Sequence, residues 1–232
     1  MSSFLKMATV VFCATVLAPA VNAKPAPPTS AAATLEADLD VLANFVPRQS
    51  LRDVMMGGCT TSYRKKLDAE AEAERALPGL HDHMVAGASA YCVANVDSLI
   101  ERVRIRAKER WKSRFTPAEL HRLAVLYAPS LKPLEKFRVE FKPGDTATGA
   151  VRRADPSLYR DTEDWKRRAM AFAATPGGAS LLTRGDSESK TIAAGAESQD
   201  DLVTFIKTAF RAGRVAANTY AAEKGMQPLY AE

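Results

Sequence analysis

The chain has 232 residues, 47% of them apolar, and a formal net charge of +5. That length is enough to bury one self-sufficient core, so a single domain is the default. Its modest positive charge is interspersed with acids and comes without a recognition motif, which argues against nucleic acid as a partner.

Residues 1–23 have the layout of a secretory signal peptide: Lys6 in a short basic region, the apolar "MATVVFCATVLAPA", and the small-x-small site "VNA". The apolar stretch is short of the roughly 20 residues a membrane span needs. No later segment is long enough either, so the mature chain is expected to carry no transmembrane segment. Cys13 follows Val-Val-Phe, which does not suit lipidation. The mature protein is therefore expected to begin at Lys24 and to be periplasmic or secreted. Residues 24–34, "KPAPPTSAAAT", read as a flexible Pro/Ala-rich leader, and residues 35–232 as a single all-α domain.

Met55, Cys59, Tyr63 and Leu67 recur every four residues and predict a helix with Cys59 facing inward. "LDAEAEAERAL" (67–77) spreads its carboxylates around an Ala-rich helix, and "LPGL" (77–80) is a strong turn. Val85, Ala88, Cys92, Val96, Leu99, Val103 and Ala107 then mark one face of a long central helix. Within it, "SLIERVRIRAKERWKSR" (98–114) is the most basic stretch. It reads as a solvated face, with Arg102, Arg104, Arg106 and Lys108 as a candidate basic surface for anionic lipid or glycan.

"FTPAEL" (115–120) predicts a helix start, with Thr116 as cap, Pro117 in the first helical position and Glu119 completing a capping box. Pro129 and Pro133 are expected to break that helix into shorter pieces, and residues 141–159 to form a long loop. Thr162 looks like the cap of a helix through Trp165, Ala169 and Phe172. "FAATPGGASLL" (172–182) then places Thr175, Pro176, Gly177 and Gly178 between two apolar runs. The residue before a proline is pushed out of the helical region, and two glycines permit close backbone approach. The reading is a helix elbow, with Thr175 capping the second helix and Pro176 opening it. A phosphate loop would need a different glycine pattern. Leu202, Ile206, Ala209, Gly213, Ala216 and Tyr220 form one face of a last helix, stopped by Gly225 with Pro228 beyond.

Chemistry-bearing patterns are sparse. His81 and His83 in "LHDHM" are two apart and do not share a helix face. They are expected to be exposed, with Asp82 as a first-turn acid. His121 reads as a boundary residue on its helix. No zinc spacing and no G-x-S-x-G motif occurs, so no catalytic, metal or cofactor residue is assigned and no cofactor is expected. Loss of Cys13 with the signal peptide leaves Cys59 and Cys92. An oxidising compartment favours a disulfide between them; two buried free thiols are the alternative. Counted in helical rise, the two limbs from the turn differ by about one helical turn, a mismatch that the bridge must absorb.

"RFTPAELHRLAVLYAPSLKPLEKF" (114–137) resembles the bacterial secreted family known as domain of unknown function 2059. That family shows an aromatic-Thr/Ser-x-x-Glu-Leu helix start and a Phe-Tyr-x-Ser-Pro-x-Gly elbow. Phe115, Thr116, Glu119, Leu120 and Tyr127 match the pattern. Ala128-Pro129-Ser130 and Lys132 depart from it, while Phe172, Thr175-Pro176 and Gly178 resemble the elbow in a second, offset copy. The resemblance spans Phe115–Phe137 and Phe172–Leu182. It implies an all-helical exported protein and carries over no catalytic or ligand-binding residue.

Together these readings predict an irregular all-α bundle of about six to eight helices after a cleaved signal peptide. The function expected is a non-enzymatic envelope binding or accessory protein whose partner is an envelope component, protein or anionic surface. The alternatives are a hydrolase or transferase acting on envelope material, or a peripheral binder of anionic membrane or glycan.

Overall fold

A computed structural model describes residues 31–69, 71–131, 134, 138–140, 163–193 and 198–230. Among these, every regular element is helical, and seven helices have ten residues or more. The architecture is the all-α irregular bundle expected. Residues 1–23, expected as a signal peptide, Pro133, the segment 141–159 and Thr162 lie outside the described residues.

The elements in chain order are α1 (Ala31–Leu42), a 3-10 turn (Ala43–Phe45), α2 (Arg48–Gly57), a π-helical turn (Gly58–Ser62), α3 (Tyr63–Asp68), α4 (Ala71–Ala76), α5 (Leu80–Arg114), α6 (Pro117–Leu131), α7 (Glu163–Ala173), α8 (Gly178–Ala193) and α9 (Gln199–Glu223). Residues 31–34 of the expected leader thus lie inside α1. Helix α5 is the axis of the fold. Gly79, at φ +91°, turns the chain into it, a conformation other residues adopt only with strain. Asp82 lies in its first turn and Lys112 and Arg114 in its last, each sign suited to the helix dipole.

The most extensive pairing among the described helices is α5 with α9. Phe205, Ala209, Gly213, Ala217 and Ala221 are buried at successive four-residue steps of α9, so Phe205 and Ala217 centre the face, where Leu202 and Ala216 had been expected. Small residues bring the two backbones together. A Cβ on Gly213 would fall 2.7 Å from the Met84 carbonyl oxygen, and one on Gly87 2.8 Å from that of Ala212. Helix α9 ends as predicted: Gly225 takes φ +74°, and the Met226 amide donates to the Ala221 carbonyl at 2.9 Å. The tail then folds back, Asn218 accepting the amides of Leu229 and Tyr230 at 2.9 and 3.0 Å.

The C-terminal end of α5 is packed by rings instead. Phe45 meets Trp111 at 6.0 Å and Tyr127 edge-on at 5.0 Å. Phe115 lies 5.3 Å from Trp111, and Trp165 stacks on Tyr127 at 5.6 Å. Both tryptophans of the chain are in this cluster.

Helix α6 begins with the predicted capping box. The Thr116 amide donates to Glu119 Oε2 at 2.8 Å and the Glu119 amide to Thr116 Oγ1 at 3.3 Å. Pro129, however, sits inside α6, which continues to Leu131. Proline removes one helical hydrogen bond near a terminus, and Arg168 of α7 secures that last turn from outside. Its guanidinium donates to the Leu126 carbonyl and to Ser130 Oγ, each at 3.2 Å.

Candidate functional site

Cys59 and Cys92 are joined in a disulfide, with Cα atoms 6.6 Å apart, and both are fully buried. The expected mismatch of helical rise is absorbed because the first limb is not one helix. Cys59 lies in the π-helical turn, and α3 stops at Asp68 before α4 begins, so the limb advances less than a continuous helix would. The bond ties α5 to the π turn behind α2.

The elbow at 172–178 is also present, with its parts redistributed. Gly178 is the first residue of α8, and a Cβ there would fall 1.9 Å from the Phe172 carbonyl oxygen. Gly177 takes φ +68° in open space. One needs glycine for closeness, the other for its backbone conformation. Thr175 does not cap α8 as expected. Its hydroxyl donates back to the Phe172 carbonyl at 2.6 Å, closing α7, and Pro176 lies in the turn before α8. Arg122 of α6 clamps the elbow, donating to Thr175 Oγ1 at 2.7 Å and to the Pro176 carbonyl at 3.3 Å, with its guanidinium 5.1 Å over the Phe172 ring.

The candidate basic surface does not assemble. Residues two apart on a helix point to opposite sides, so Arg102 and Arg106 face one way and Arg104 and Lys108 the other. Arg102 donates to Ser98 Oγ at 2.9 Å. Arg104 is only 4% exposed and donates to the carbonyls of Ala43 and Val46 and to Asn44 Oδ1, at 3.0–3.1 Å. Arg106 pairs with Asp201 at 3.0 Å and Lys108 with Asp40 at 2.6 Å.

The histidines divide. His81 is 3% exposed, against expectation, because α5 starts at Leu80 and the inner face already runs through 81, 84, 88 and 92. Extending the apolar period back by one step would have found it. Its Nδ1 lies 3.7 Å from Asp68 and 3.9 Å from Glu74. Glu74 accepts the amides of His81 and Gly79 at 2.7 and 2.6 Å. Those bonds, the His81 amide first, hold its carboxyl below the usual carboxylate range. His83 is exposed and stacks on Tyr220 at 3.9 Å. Asp82 pairs with Arg64, which lowers its pKa.

His121 is exposed, as a boundary residue should be, and its Nδ1 lies 3.0 Å from Oδ2 of Asp38, a carboxylate 12% exposed. In the tautomer that donates from Nδ1, Nε2 is an acceptor on a ring open to solvent. Asp38 was not anticipated, nor were two other carboxylates with structural roles. Asp53 takes the Val139 amide at 2.9 Å and Arg138 Nε at 3.0 Å. Asp186 accepts the Tyr127 hydroxyl at 2.5 Å. Burial first, then the charge of Asp186, raises the Tyr127 pKa and keeps the phenol protonated. Sequence spacing carries no signal for these contacts, because His121, Val139, Arg138 and Tyr127 each lie more than 50 residues from the carboxylate they meet.

Among the described residues, no three His, Cys, Asp or Glu side chains are arranged to hold a metal ion, and no helix is long and apolar enough to cross a membrane. Comparison with protein-family models, with curated proteins and with solved structures finds no match to this chain.

Proposed function

We propose that this chain is an exported, non-enzymatic helical protein that binds or supports another component of the bacterial envelope. We place it beside the secreted family known as domain of unknown function 2059, which its Phe115–Phe137 and Phe172–Leu182 segments resemble. The observation that carries the reading is the Cys59–Cys92 bond, buried between two limbs of the core. Such a bond persists in the periplasm or outside the cell, and reducing cytosol removes it. The signal-peptide layout of residues 1–23 supports the same address. The non-enzymatic part rests on how the polar side chains are used. Arg104, Arg122, Arg168, Asp53, Glu74 and Tyr127 each hold one element of the fold to another.

Fractionation with intact-mass analysis tests the proposal. The protein recovered from the envelope fraction should begin at Lys24 and titrate no free thiol when denatured without reductant. A soluble protein retaining Met1–Ala23, or two free thiols per chain, overturns it.

The His121–Asp38 pair favours a second reading, a hydrolase acting on envelope material, because it is oriented as a histidine base would be. That reading requires turnover of a peptidoglycan or glycan substrate that H121A abolishes and that D38N weakens. Turnover unaffected by H121A removes it.

A further inference from the structure

On α2 and α5 most cations are paired with carboxylates, as Arg48, Arg52, Arg106, Lys108, Arg110 and Lys112 are. Helix α9 is different. From Leu202 to Ala222 it carries Lys207, Arg211 and Arg214 and no acidic residue. The three stand four and three positions apart, so they share one face, and all are exposed. None of them meets a carboxylate among the described residues. The acids of α9 lie at its ends. Asp201 is taken up by Arg106, and Asp200 and Glu223 stand about two turns or more from the nearest of the three. Lys66 of α3 joins the same edge. Its Nζ lies 5.7 Å over the ring of Phe210, which falls between Lys207 and Arg214 on the helix and stacks on Tyr63 at 4.1 Å. Asp68, the acid of α3, is directed instead at His81, 3.7 Å from its Nδ1.

We propose that this face of α9, with Lys66 beside it, is a docking surface for an anionic lipid membrane. The proposal rests on the envelope-binding reading above and names the component bound. Four exposed cations with no acid between them attract a negatively charged surface, each contributing about fivefold in affinity. A soluble acidic polymer would answer that charge equally well. What favours lipid is the apolar rim. Val215, directly after Arg214, is 54% exposed, and Met226 and Leu229 of the tail are 38% and 40% exposed. Asn218 continues the stripe four positions past Arg214. It clamps the tail, accepting the Leu229 and Tyr230 amides and donating to the Tyr230 carbonyl at 2.8 Å. Leu229 is thus held in solvent at the end of the cationic stripe. That placement costs free energy in water and gains it where headgroups meet acyl chains. Because the apolar face of α9 is buried against α5, the helix lies on such a surface as a rigid edge and does not insert.

The test is sedimentation of the oxidised protein, as isolated, with vesicles of mixed phosphatidylcholine and phosphatidylglycerol. Binding should be absent with phosphatidylcholine alone and should weaken as salt is raised. K207Q/R211Q/R214Q should lower affinity for the mixed vesicles by about a hundredfold. The matched variant R75Q/R102Q/K190Q removes the same charge from exposed positions on other helices and should leave affinity within about threefold of wild type. M226S/L229S should weaken binding to the vesicles while leaving binding to dextran sulfate, a soluble polyanion, unchanged. No binding to the mixed vesicles overturns the proposal, as does an equal loss in the two charge variants. Vesicle binding that M226S/L229S does not weaken overturns the assignment to lipid and leaves a soluble acidic polymer as the partner of the stripe. All of these outcomes are read on purified protein, so they are independent of the fractionation and thiol titration that test the chain's address.

Discussion

Near its start, α5 meets α9 through glycine and alanine, with Gly87 against Ala212 and Ala216 and Gly213 against Met84, and a disulfide closes the flank. Near its end, the same helix meets the 3-10 turn behind α1 through Trp111 and Phe45, and the rings of Phe115, Tyr127 and Trp165 extend that cluster to α6 and α7. One end is specific because side chains are missing and backbones touch; the other because large rings fill the space between its elements. The first tolerates no added volume and the second no lost volume. Each end is therefore broken by the opposite kind of substitution.

Trp111→Ala should have the largest effect. The side chain is fully buried, and emptying such a site costs about 3–5 kcal/mol. Urea unfolding should show that loss, with the Cys59–Cys92 bond still resistant to thiol titration. A loss under 1 kcal/mol would mean that the ring cluster is not the keystone of that end.

Next comes the bond itself. Its partners are 33 residues apart in sequence, and closing a loop of that length stabilises by about 3–4 kcal/mol on the chain-entropy argument. Cys59→Ala/Cys92→Ala should lose about that much, and exchange protection should fall first in α2, α3 and the start of α5. Equal loss around Trp111 would show that the two ends of α5 do not open separately.

Added volume comes third. Gly213→Leu should destabilise by about 1–3 kcal/mol or more, because the new side chain meets the Met84 carbonyl and the Tyr63 ring. Gly178→Leu should do likewise at the elbow, where the Phe172 carbonyl occupies the space. Melting temperatures unchanged in both would remove the close-approach account of these glycines.

The same contrast explains what could be read from sequence. Trp111 and Ala107 continue the period set by Cys92 and Val96, so the buried face of α5 was legible over most of its length. So were the capping box at Thr116 and the stop at Gly225, because each is made by residues within a few positions of one another. Pro129 misled because the arginine that secures its turn comes from α7, far along the chain. The basic stretch misled for the same reason. Its charges look unpartnered until Glu36, Asp40 and Asp201 are brought beside them. Local punctuation is written locally; the use made of a charge is decided by whichever helix packs against it.

The smallest expected effect compares two carboxylates placed just outside the two ends of α5. Glu74 accepts the amides of His81 and Gly79 before its start, and Glu119 accepts the Thr116 amide and pairs with Arg184 after its end. In both, the bonds to backbone amides lead in holding the carboxyl below its ordinary value, with Arg184 second for Glu119. A group whose folded pKa is lowered contributes stability above its unfolded value, about 4.3 for glutamate. That contribution disappears as pH falls through the folded value. Glu119→Ala should therefore cost about 1 kcal/mol at pH 7, the usual worth of a capping interaction. The gap between variant and wild type should narrow as pH drops below about 4. Glu74→Ala should follow the same course while loosening the turn at Gly79, visible as faster exchange of the Gly79 and His81 amides. Urea unfolding of the three proteins at pH 7 and pH 3 checks both. A gap of undiminished size at pH 3 would mean that these side chains act through packing and not through the charge that the amides hold.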